Sequence, residues 1–220
     1  MMNKYFELMK KYPAWFENVE DSDAIEIITD KKNIAEIQLQ TNTKVGIVYE
    51  DSYICVLKDA VVFPNKKNGT YIRIQNPKNQ AGSIIIPQFG DKFLFLNHYR
   101  HALRRFCLEF PRGFGEEGLL PIENALKELY EECGLRAEKA KIIGKTAPDS
   151  GLLGTEQYVI HAVVACDHVA VQDAKEGIKE TVWLSMEEIK EKVCSGDITD
   201  GYSLAAAFML LAQQEKKENG

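Results

Sequence analysis

The chain has 220 residues, 45% of them hydrophobic, with 33 acids against 27 lysines and arginines for a net charge of -6. That length fills one substantial core with a small appendage, and the acidic balance argues against nucleic acid as a partner, since such binding rests on basic patches. Residues 204–212, the longest apolar stretch, are too few to span a bilayer; with no signal-peptide core at the N-terminus and five cysteines lacking close pairing, the sequence reads as a cytoplasmic protein with reduced thiols.

Residues 4–18 read as a short amphipathic helix carrying Tyr5, Phe6, Leu8, Met9, Trp15 and Phe16. An acidic, turn-rich stretch follows, making 1–44 a helical or irregular extension. From Val45 the hydrophobic period changes to two. Strands are expected over 45–49, 53–57, 60–63 and 70–74, separated by turns at Asp51-Ser52, Lys58-Asp59 and 65–69, which gives a β subdomain over 45–78. The main domain, 79–216, opens with a hairpin of 82–87 and 92–97 turning at Phe89-Gly90-Asp91. A strand over 105–110, a helix, and strands near 140–145, 157–166 and 180–184 come next. Ser185 and Glu188 form a capping box for a penultimate helix, and 204–213 is the apolar last one. The organisation is α/β.

The helix over 121–133 is well specified: Pro121 suits its first position, Glu123 its first turn, and Gly134 its left-handed stop. Ile122, Ala125, Leu126, Leu129 and Cys133 recur on its buried face, with Glu128 at the edge of that face. Glu128, Glu131 and Glu132 lie on one stripe near its C-terminus. Acids there lose about 0.3–1 kcal/mol each against the macrodipole and repel one another at i,i+3 and i,i+4 spacing. A bound cation is expected. The preceding segment, Pro111-Arg112-Gly113-Phe114-Gly115, is a glycine-rich loop whose backbone can approach a ligand.

Gly113, then Lys127-Glu128-Leu129, Glu131-Glu132 and Gly134-Leu135, match the Nudix box in spacing, and the segment resembles the Nudix hydrolases. The resemblance implies the Nudix fold, a mixed β-sheet sandwiched between helices, here with an N-terminal β-strand extension. It also implies metal ligation by Glu128, Glu132 and the Arg112 carbonyl, with Glu131 holding a second ion or positioning water. Two positions depart from the pattern. Leu119 stands where the family has an acid, and Lys127 replaces an arginine whose planar fork holds two carboxylate oxygens, so the support of the site is expected to be weakened.

The flanks are most similar to the ADP-ribose pyrophosphatase group, through His98-Tyr99-Arg100-His101-Ala102, Glu109-Phe110-Pro111-Arg112-Gly113 and the 196–200 tail. That implies Mg²⁺-dependent hydrolysis, with Mn²⁺ as an alternative ion, of ADP-ribose to AMP and ribose 5-phosphate, and a homodimer formed through the N-terminal strands. It also places a general base at Glu156, on a loop over 148–156 whose glycines would let it close as a lid; an exposed loop acid is the plain alternative. Arg100 and Glu109 are expected on the substrate side, with Arg100 gripping a phosphate or paired to Glu109. His98 and His101 point to opposite faces and make a poor ligand pair. A Nudix hydrolase of another diphosphate, such as a nucleoside triphosphate or dinucleotide, and a non-catalytic Nudix binding module remain open alternatives.

Overall fold

The computed structural model describes residues 2–170 and 177–218, with side chains described through Glu215. The chain divides into two compact units, 1–79 with 149–154, and 80–148 with 155–220.

In the first unit, the helix expected over 4–18 ends early. Helix α1 (Met2–Lys11) gives way to a 3-10 turn at Pro13–Phe16, because proline lacks an amide donor and drives the residue before it out of the helical region. The stretch expected to be irregular contains a second helix, α2 (Lys31–Thr41). The Asp30 carboxylate caps it, accepting from the amides of Lys32 at 2.7 Å and Asn33 at 3.0 Å, and Asn42 closes it in the left-handed region at φ 49°. Strands β1 (Glu26–Ile27), β2 (Gly46–Glu50), β3 (Cys55–Val62) and β4 (Asn68–Gln75) form an antiparallel sheet around β3.

No turn forms at Lys58-Asp59; β3 runs through it. Asp59 is buried, and its carboxylate accepts from the Tyr5 hydroxyl at 2.5 Å and from Arg73 Nε at 2.6 Å, so a residue that marks turns in sequence is satisfied inside a strand. Burial, followed by the Asp59 charge, keeps the Tyr5 phenol protonated well above its ordinary range. Tyr5, Phe16, Ile34 and Ile37 share one core with Ile47, Leu57 and Ala60. The segments expected as a separate extension and β subdomain therefore build a common body. The loop expected to be a lid is partly fixed: Ile74 N–H donates to Leu152 O at 2.8 Å and Gly154 N–H to Ile74 O at 2.9 Å, adding 152–154 to the edge of β4.

The second unit is a seven-stranded mixed sheet. Strands β5 (Gly82–Phe89), β6 (Lys92–Arg100), β9 (Ala137–Thr146), β10 (Gln157–Val164) and β11 (Ile178–Ser185) run in the order β11-β6-β5-β10-β9, with β5 and β10 parallel and the other pairs antiparallel. Both faces are covered. Ile84, Ile86, Phe93 and Phe95 meet α4 (Met186–Ser195) and α5 (Gly201–Glu218), while Ile85, Leu94 and Leu96 meet α3 (Pro121–Cys133). The unbroken apolar run of β5 is what burial on both faces requires. The capping box expected at Ser185 and Glu188 is formed.

One irregularity in this sheet positions the site. Strands β5 and β6 are bonded only beside their turn, at Gln88↔Phe93 and Phe89↔Lys92, and then splay apart. The short strand β7 (Arg105–Glu109) completes β6, and β8 (Arg112–Gly113) completes β5. Residues 109–113 are thus laid into the opening of the V.

Candidate active site

The register of β8 sends its two residues to opposite faces. Arg112 pairs with Ile84, which faces α5, and Gly113 with Ser83, whose hydroxyl donates to Pro121 O of α3 at 3.2 Å. Gly113 therefore faces α3, and there the Glu128 carboxyl is packed against it so closely that a Cβ would overlap it. This contact gives the glycine its purpose. Glu132, one helical turn later, is 6% exposed, whereas the side chain of Glu131 is 54% exposed and lies 3.6 Å from Lys127 Nζ. The structure thus brings Glu128 and Glu132 to one face of α3, with Glu128 against Gly113, and leaves Glu131 half-exposed beside Lys127.

Helix α3 is built as its sequence implies. Leu120 N–H donates to Glu123 Oε2 at 2.9 Å, and Gly134 closes the helix at φ 68° with its amide on Tyr130 O. Asn124, buried on α3, pins the loop from Gly113: its Nδ2 donates to Phe114 O at 3.0 Å and its Oδ1 accepts from Glu116 N–H at 3.2 Å. Lys127, one of the two positions expected to weaken the support of the site, is ion-paired through Nζ to Glu116 in the loop before α3. The hydrogen bond it donates to Glu116, assisted by the charges of Glu131, Glu116 and Glu128, raises the Lys127 ammonium above its ordinary value. Both partners are about 40% exposed, so the pair steers geometry more than it stabilises.

On the other side of Gly113 lies a cleft of about 110 Å³ lined by Arg100, Arg112, Gly113, Phe114, Gln157 and Tyr202. Beneath it is Glu109, fully buried. Arg100 Nε donates to Glu109 Oε2 at 2.9 Å and its terminal nitrogen to Oε1, His98 Nδ1 lies 3.3 Å from Oε1, and Arg112 lies 3.8 Å from Oε2. Burial opposes ionisation of Glu109, but the hydrogen bonds from His98 and Arg100 and the charges of Arg100 and Arg112 outweigh it and hold the carboxyl below its ordinary value. Glu109 was expected on the substrate side; it has no exposed surface, and its carboxylate is held against the arginines that line the cleft. Of the two open readings of Arg100, the ion pair with Glu109 is the one formed. His98 is buried in this cluster and His101 is exposed beside Arg104.

Glu156 precedes β10 and lies 3.5 Å from Lys145 with its side chain 58% exposed. The next residue, Gln157, lines the cleft, and a Cβ on Gly82 would overlap its amide. Glu156 sits on the side of Lys145, whose ammonium also lies over the Tyr158 ring. Sequence reasoning missed Phe114, Gln157 and Tyr202, as well as the side chain of Arg112. Nothing in their spacing singles them out, because β8, β10 and α5 meet only through the sheet.

A metal would find hard oxygen donors here. Among the described residues, no three His, Cys, Asp or Glu side chains converge into a closed cage. Mg²⁺, however, takes one or two carboxylates and keeps several waters, and two glutamates one turn apart, with one packed against a backbone carbonyl-bearing glycine segment, fit that demand.

Comparison with known proteins agrees with this geometry. The NUDIX domain matches residues 78–200. The chain is 26% identical over 164 residues to the ADP-ribose pyrophosphatase of Bacillus subtilis (strain 168), covering 73% of this chain and 78% of that protein. It is 34% identical over 74 residues to the ADP-sugar pyrophosphatase of Mus musculus, a match spanning 34% of each chain and thus about a third of the mouse protein's length. It is also 25% identical over 161 residues to the methanol dehydrogenase activator of Bacillus methanolicus, covering 72% and 85% of the two chains. A solved ADP compounds hydrolase superposes with a TM-score of 0.67 at 18% identity, over 79% of this chain and 93% of that one, and so shares the fold. With more than half its length matched by the domain and the box residues gathered at the split of the sheet, the chain belongs to the NUDIX family of hydrolases.

Proposed function

We propose that the protein hydrolyses the diphosphate of ADP-ribose, or of a closely similar nucleoside diphosphate sugar, to AMP and a sugar phosphate, with Mg²⁺ as its ion and Mn²⁺ as a substitute. The observation that carries this reading is the packing of Glu128 against Gly113, with buried Glu132 one turn on and an arginine-lined cleft on the other side of the same glycine. Similarity to the Bacillus subtilis and mouse pyrophosphatases supports the substrate class. Glu128, Glu132 and the Arg112 carbonyl would hold the ion, which when bound neutralises diphosphate charge and lowers the pKa of the attacking water. Glu131 orients water or a second ion from the solvent side of α3. Glu156 is the proposed general base; it must leave Lys145 to act. Arg100, locked onto Glu109, presents a fixed positive edge that orients the diphosphate.

We propose a cytoplasmic location; no helix among the described residues is long and apolar enough to cross a membrane. We assign a homodimer through the N-terminal sheet, which exposes Val48, Tyr49 and Ile72. Incubation with ADP-ribose and Mg²⁺ should release AMP. Glu132→Gln should lower kcat by at least about 10²-fold, the scale of a lost charge-stabilising group. Near-normal turnover in that variant would remove the metal assignment, and turnover of a different diphosphate without AMP from ADP-ribose would redirect the substrate.

A further inference from the structure

The two arginines of the cleft are in different states. Arg100 is committed, because both of its donors described above go to Glu109. Arg112 is not. Its terminal nitrogen lies 3.8 Å from Glu109 and 3.6 Å from Asp200, outside hydrogen-bond reach, and its buried Nε has no hydrogen-bond partner among the described residues. Glu109 has closer donors in Arg100 and His98, and Asp200 accepts from the amide and the hydroxyl of Ser203 at 2.9 Å each through Oδ2, with its Oδ1 turned toward Arg112 at 3.6 Å. The Arg112 guanidinium lies 4.3 Å over the Tyr202 ring, which fixes its plane while leaving its edge open to a ligand. With its side chain only 24% exposed, an under-coordinated cation of this kind costs free energy until an anion completes its hydrogen bonds.

We propose that Arg112 is a substrate-binding residue whose guanidinium takes two oxygens of a phosphate in this cleft, and that the side chain thereby selects anionic phosphate groups; this rests on the diphosphate reading above. A planar fork matches a pair of phosphate oxygens. The place is right for it, because Gly113 is common to both halves of the site: Glu128 packs on one side and the cleft opens on the other. The volume, about 110 Å³, is well below the roughly 300–1,000 Å³ of pockets that hold a whole drug-sized ligand. The cleft therefore takes one phosphoryl group and leaves the rest of the substrate outside.

The test is calorimetric titration of inorganic pyrophosphate in EDTA into the intact protein, Arg112→Lys and Arg112→Gln, alongside ADP-ribose kinetics with Mg²⁺ and thermal melts. The intact protein should bind pyrophosphate without metal. Arg112→Gln should weaken that binding at least 10-fold, with Arg112→Lys, which keeps the charge but loses the fork, falling between. KM should rise in the same order, with kcat changing less. If Arg112→Gln fails to fold, Arg112→Lys carries the test. Absence of pyrophosphate binding by the intact protein, or equal affinity in the folded variants, overturns the proposal. Release of AMP from ADP-ribose with equal KM in all three proteins sinks the phosphate pocket and leaves the hydrolase reading standing. Arg112-dependent pyrophosphate binding with no AMP released does the reverse.

Discussion

Glu109 is fully buried on β7, paired across to Leu96 of β6, with Arg100 and Arg112 against its carboxylate. Its neighbours keep it ionised below its ordinary value. A carboxyl whose native pKa is depressed stabilises the fold fully above its unfolded value, near 4.5, and that contribution disappears as pH falls through the lower native value. Glu109→Gln leaves Arg100 and Arg112 without the buried charge between them, and breaking one partner of a buried pair typically costs about 3–5 kcal/mol. Urea melts should show that loss at pH 7 and a gap from the parent protein that narrows as pH falls below the unfolded value near 4.5, where the unfolded chain takes up the proton before the native carboxyl does. A gap that stays constant with pH would mean that Glu109 contributes through shape rather than charge.

Elements were legible where a periodic face and a cap coincide in one stretch of chain. Helix α3 is the best case: proline at its start, glycine at its end and an apolar stripe between them are all local signals. Helix α2 lacks the stripe. It buries only Ile34 and Ile37, and Leu39 is 84% exposed, so its pattern is too sparse to stand out from an acidic stretch. Its Asp30 and Asn42 caps were present in the sequence but resemble turn residues equally well. With so little buried surface, capping should matter to it. Asp30→Ala should cost about 1 kcal/mol, read as a lower urea midpoint at unchanged slope. If the midpoint does not move, α2 is held by its two isoleucines alone. Asp59 makes the complementary point for strands: a turn former mid-strand is explained only by Tyr5 and Arg73, which lie 54 and 14 residues away along the chain.

At the scale of the molecule, the second unit was legible because its box fixes spacing between residues close in sequence, whereas the first is held together by contacts distant in sequence. Tyr5 and Phe16 from the first 16 residues and Ile34 and Ile37 from α2 complete the core of β2 and β3. Neither helix carries a signal that identifies its partner, since an amphipathic face specifies burial without specifying against what. Removing a buried isoleucine or aromatic side chain down to alanine costs about 2–5 kcal/mol. Four such losses together rival the roughly 5–15 kcal/mol that holds a whole domain. A chain beginning at residue 45 should therefore lose the native packing of its N-terminal sheet, with β3 amides exchanging rapidly and dye binding to the exposed apolar face. The second unit keeps its two cores on either side of the mixed sheet, so β5 and β6 amides should remain slow in the same sample. Protection of β3 equal to that of the full chain would show that residues 1–44 only cover a sheet that stands without them. Loss of protection in β5 and β6 as well would show that the two units fold as one cooperative system.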